Sequence, residues 1–146
     1  MKQVNAVWMD VLKLITVQSH PYRYAKIQVN LGKIQFSVAI LIKDNPEEKT
    51  SHLLKAIEFY HHALTLLNKD HYPIDYKNAK NLLTKTHLEF SKISSQFQNH
   101  LDIAHSINDE VLSFYEGAEK KDLLYTDAIN LQKEINEAFN QGLTHA

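Results

Sequence analysis

Pro73-Ile74-Asp75-Tyr76 repeats the outline of Pro21-Tyr22-Arg23-Tyr24, fifty-two residues earlier. Each follows an apolar run of helical character, Val11-Leu12-Lys13-Leu14-Ile15 before the first and Ala63-Leu64-Thr65-Leu66-Leu67 before the second. A period of this length is the mark of helical units laid against one another, because one such unit cannot bury its own apolar face. Comparing residues 3–43 with 55–95 gives six identities: Leu12, Leu14, Pro21, Tyr24, Leu31 and Lys33 with their partners. The expected fold is therefore all-α, a stack of about six helices paired as antiparallel hairpins.

Outward from the two corners, apolar spacing marks the helices. Residues 3–18 place Val4, Val7, Trp8, Val11, Leu12 and Ile15 on one face, but Ala6, Met9, Leu14 and Val17 lie off it. A helix that covers a core from one side is polar on the other, so the excess leaves two readings: central burial in its own domain, or a subunit or partner interface through Val4, Trp8, Val11 and Ile15. Pro21 suits the first turn of a second helix, where its missing N–H costs nothing, and that helix is expected to run to about residue 43. Phe36-Ser37-Val38-Ala39-Ile40-Leu41-Ile42 is short, apolar and partly β-branched, like a buried strand, but its surroundings are helical and it is assigned to the helix. Asp44-Asn45-Pro46 favours a turn, with a charged loop over 43–50.

The third helix, 51–68, sets Leu53, Ala56, Ile57, Tyr60, Ala63, Leu64 and Leu67 on one face, with Lys55, Glu58, His62 and Lys69 opposite. A fourth carries Ala79, Leu83, Thr86, Phe90, Ile93 and Phe97. Neither proline nor glycine occurs between Pro73 and Gly117, which allows one long helix through Leu101, Ala104, Ile107, Val111 and Phe114. The weak helix formers Ser94-Ser95-Gln96-Phe97-Gln98-Asn99 favour a break. After Gly117 a last helix over 119–140 aligns Leu124, Ala128, Leu131, Ile135 and Phe139.

The bulk properties narrow the function classes. At 146 residues the chain is long enough for one domain with a core of its own. It has no cysteine, which removes disulfides, thiolate metal sites and thiol nucleophiles, and suits a reducing cytoplasm. The net charge is −1 with the two signs interspersed, so no basic stripe is present to track phosphates, and no nucleic-acid partner is expected. No apolar run reaches membrane-spanning length, and residues 1–5 lack the features of a leader.

Nine histidines invite a metal hypothesis. Glu58 with His61, and Asp102 with His105, have the carboxylate–imidazole spacing of di-iron helical bundles. Such a site also needs acids from two further helices, and residues 21–43 contain none, so no metal and no cofactor are expected. No Gly-x-Ser-x-Gly elbow or glycine-rich phosphate loop occurs, and an enzyme is not expected.

Ala56, Tyr60 and Ala63 have the small–aromatic–small spacing of the second helix of a tetratricopeptide repeat, and Asn30-Leu31-Gly32 looks like the first. The run from Tyr24-Ala25 through Asn30-Leu31-Gly32 to Ala63-Leu64 and Tyr72-Pro73-Ile74-Asp75-Tyr76 resembles the longer-period tetratricopeptide repeats of bacterial signalling proteins. The resemblance covers residues 3–95 of a single domain, 1–146; 97–140 would be a degenerate repeat or cap, and Thr84 stands where the second copy would carry glycine. It implies a protein-interaction scaffold or adaptor whose first helices line a concave face for a peptide or partner protein. Lys26, Asn30 and Lys33 from one first helix, with Asn78, Asn81 and Lys85 from the next, would bind a peptide backbone or acidic terminus there. A solvated polar face is the alternative for those six residues. A homodimer through the N-terminal helix, a small client-specific chaperone or inhibitor, and a helical-bundle enzyme are the other readings.

Overall fold

The computed structural model describes residues 6–7, 9–11, 19–119 and 121–145. Helical residues 6–7 and 9–11 come first. They are followed by α1 (Pro21–Leu41), α2 (Pro46–Leu64), α3 (Pro73–Ser91), α4 (Phe97–Ser113) and α5 (Leu123–His145). Among the described residues there is no strand, and Phe36 to Leu41 is helical, with the chain turning extended only at Ile42. The molecule is an all-α arrangement of helical hairpins. Its chain groups into two compact units, 1–79 and 80–146, divided within α3.

All three prolines open helices. At each, the carbonyl oxygen of the residue before proline accepts the first helical hydrogen bond: His20 O from the Tyr24 N–H at 2.9 Å, Asn45 O from the Lys49 N–H at 3.0 Å and Tyr72 O from the Tyr76 N–H at 2.8 Å. Proline fits because no acceptor waits for its N–H and its fixed φ is already helical. This corrects the charged loop expected over 43–50. Asn45 caps α2 by accepting from the Glu48 N–H at 3.0 Å, and Glu47 and Glu48 lie in the first turn, where negative charge offsets the helix dipole. The turn preference of Asp-Asn-Pro is real, but it is spent in residues 42–45.

In the first unit, α1 and α2 form a hairpin closed by that short link. Leu53, Ala56, Tyr60 and Ala63 of α2, and Leu67 beyond it, are fully buried, while Lys55, Glu58, His62 and Lys69 are exposed as their spacing predicts. Gly32 of α1 faces Tyr60 so closely that an added Cβ would lie 2.5 Å from the ring. Glycine is required there because the aromatic ring occupies the space of a side chain. The α2 helix ends at Leu64, earlier than the expected 68, as Leu66 and Leu67 N–H groups both turn back to the Ala63 carbonyl.

In the second unit, α3 stops at Ser91 and α4 starts at Phe97, so the break expected near 94–99 is present. Ser94 fixes it by accepting from the Gln96 N–H at 3.0 Å, the local bonding by which serine competes with a helix. Leu88, Leu101, Ala104, Leu131 and Ile135 form one core cluster, and Val111, Tyr115 and Ala128 another. The last helix begins at Leu123 and not at 119. Gly117 takes a positive φ of 73°, and Asp122 supplies the cap, accepting from the Tyr125 N–H at 3.1 Å and the Tyr115 hydroxyl at 2.6 Å.

Candidate functional site

The two proline corners meet. Asp75, in the first turn of α3, accepts from the Tyr22 hydroxyl at 3.0 Å and from Lys26 Nζ at 2.8 Å. The Tyr22 and Tyr72 rings stack with centroids 5.0 Å apart. The starts of α1 and α3 therefore lie side by side. Hydrogen bonding to Asp75 raises the pKa of both Tyr22 and Lys26, so Lys26 stays charged and its charge is already balanced.

The other expected peptide-binding residues divide by surroundings. Asn30 is half-buried and Lys33 exposed on α1, at the spacing from Lys26 that puts all three on one helical face. On α3, Asn78 and Lys85 are half-buried, but Asn81 is 2% exposed and donates its amide to the Leu124 carbonyl at 3.1 Å. Thus the structure directs Lys26 and Asn81 into internal bonds, and Asn30, Lys33, Asn78 and Lys85 retain solvent access.

Asn81 has a counterpart that sequence reading missed. Asn108 of α4 is fully buried and donates to the Ala128 carbonyl at 2.9 Å. Leu124 and Ala128 are one turn apart, so two amides from different helices grip the same stripe of α5. The expected face of α4 pointed to Ile107, which is only half-buried; Asn108 takes the interior place. Its polarity hid it, since an asparagine beside a regular apolar series is ordinarily assigned to the surface.

Of the expected interface residues, Val4, Trp8 and Ile15 lie outside the described residues, and Val11 is half-buried. The neighbouring Val7 and Met9 are 61% and 49% exposed. Among the described residues no group of three or more histidines, aspartates and glutamates comes together to hold a metal ion. His105 pairs with Asp109 at 3.2 Å, and Asp102 accepts from Gln98. Two other histidines meet: His87 and His100 bring their Nδ1 atoms to 3.2 Å, and Phe90 stacks on His100 at 4.3 Å. Burial lowers the pKa of His100, and one imidazole must be neutral to accept from the other.

No helix among the described residues is long and apolar enough to cross a membrane. Comparison of the chain with protein-family models, with curated proteins and with solved structures finds no match.

Proposed function

We propose that this chain is a protein-interaction module of tetratricopeptide-like construction, working in the cytoplasm and engaging a partner protein or a second copy through its N-terminal stretch. The observation that carries the reading is the exposure of Val7 and Met9 on helical residues. In the sequence these two stand among further apolar residues between 3 and 18, more of them than one helical face would take up. Apolar side chains exposed on helical residues stay in water unless something covers them. The tight Gly32–Tyr60 approach and the paired proline corners support the helical-repeat part of the reading.

The test is the mass in solution of the natural chain beside a Val7→Asp, Met9→Asp variant. The natural chain is expected to exceed the 16.9 kDa of one copy, and the variant to fall to that mass with its helical content intact. Two equally well-folded monomers would remove self-association through the N-terminal surface.

A further inference from the structure

The second unit carries a surface feature that the N-terminal reading does not use. Where α3 ends at Ser91, the chain leaves a depression of about 320 Å³ between the end of α3, the start of α4 and the last turns of α5. Phe97, Leu101 and Ala138 supply its apolar walls, and Gly142 lies at its edge. On α5 the small residues Ala138 and Gly142 face this place, and the Phe97 ring packs so close to Gly142 that an added Cβ would lie 2.7 Å from it. Phe97 keeps 37% of its surface exposed.

Ser91, Lys92, Ala138 and Gln141 continue from this depression into a second one, of about 370 Å³, bordered by Glu89, Glu134 and Glu137. The two adjoin across those four shared lining residues, one with apolar walls and the other with an acidic border, and make a groove with an apolar end and an acidic end. Lys92 pairs with Glu89 at 2.7 Å, which leaves the charge of the acidic end to Glu134 and Glu137. Both are exposed on α5 and make no ion pair among the described residues. Glu134, Glu137, Ala138, Gln141 and Gly142 follow the spacing of one helical stripe. From Glu134 to Ala138 the stripe rises about 6 Å, within the span of neighbouring side chains on a bound peptide.

From this charge pattern we infer that the groove docks a partner segment presenting an apolar side chain next to lysine or arginine. The apolar side chain enters beside Phe97 and Leu101, removing their exposed surface from water. The cation lies over Glu134 and Glu137, where opposite charge favours the correct orientation and speeds encounter. An acidic segment is rejected by the same pair. The inference rests on reading the chain as a protein-binding module, but on a surface separate from Val7 and Met9.

Fluorescence anisotropy with a labelled pentapeptide of two lysines, an alanine and two leucines tests it, beside a counterpart with glutamates for the lysines. Saturable binding of the basic peptide is expected, at least tenfold tighter than the acidic one and weakened by salt. Glu134→Lys with Glu137→Lys, an exposed change that spares the core, should cost the basic peptide at least tenfold. Ala138→Leu should fill the groove and abolish binding. Val7→Asp with Met9→Asp should leave binding unchanged, so loss of the N-terminal reading and loss of this one are separable. Equal binding of both peptides, no saturation into the millimolar range, or unaltered binding by the charge-reversed variant would overturn the proposal. So would self-association that Glu137→Lys abolishes, since the occupant would then be a second copy.

Discussion

The hairpin of α1 and α2 and the hairpin of α4 and α5 both bury apolar residues, but their closest approaches are made differently. The first is closed by shape: Gly32 admits the Tyr60 ring, and Ala56 and Ala63 flank it in full burial. The second is held in register by polar groups, with Asn108 gripping the backbone of α5 and Asp122 capping its start. Shape closure tolerates no added atom. Polar clips fix register while letting side chains nearby be small, and the groove beside Ala138 and Gly142 lies in the unit built that way.

The sharpest way to break this contrast is Gly32→Ala. A Cβ placed 2.5 Å from the Tyr60 ring forces either the ring or the helix to move. The overpacking cost exceeds what a better helix former returns, for a net loss of about 2 to 3 kcal/mol in urea unfolding. Adding Tyr60→Leu should restore much of that, and failure to restore it would place the strain elsewhere. Next in size, Asn108→Ala removes a buried amide and leaves a small void, with an expected loss of about 2 kcal/mol. Hydrogen exchange should show that loss in α5 and leave α1 unchanged.

Tyr60→Phe discriminates shape from polarity more finely. The Tyr60 hydroxyl is buried with no hydrogen-bond partner, and that burial raises its pKa. Removing the oxygen should be neutral or stabilising by up to about 1 kcal/mol; a clear loss would mean that the hydroxyl is satisfied. The smallest effect is expected from pH. His100 has a lowered pKa in the folded chain, so the unfolded chain binds the proton first as pH falls. Its contribution is complete above the ordinary histidine value of about 6.5 and is lost as pH drops below it. His100→Gln should flatten that part of the stability profile of the second unit.

Much of this architecture was legible in the residues. The 3.6-residue spacing of Leu53, Ala56, Tyr60 and Ala63 named the buried face of α2. The weak helix formers from Ser94 to Asn99 marked the break between α3 and α4, though the helix itself resumes at Phe97. Helix starts were read less well. Asn45 and Asp122 carry ordinary capping chemistry, but a turn preference at one and a run of charged residues at the other masked it. Of the expected binding residues, Lys26 and Asn81 looked like free polar groups, because nothing near them in the chain announces Asp75 or the Leu124 carbonyl.

Helical periodicity, the helix start at Pro21 and the apolar excess of residues 3–18 are properties of neighbours along the chain, and the sequence by itself determined them. Tertiary structure alone decided that Asp75 meets Tyr22 and Lys26, that Asn108 turns inward while Ile107 does not, and that Phe97 leans on Gly142. Each of those joins residues from different helices. Local spacing shows which face of a helix is apolar, but only packing selects the partner that face receives.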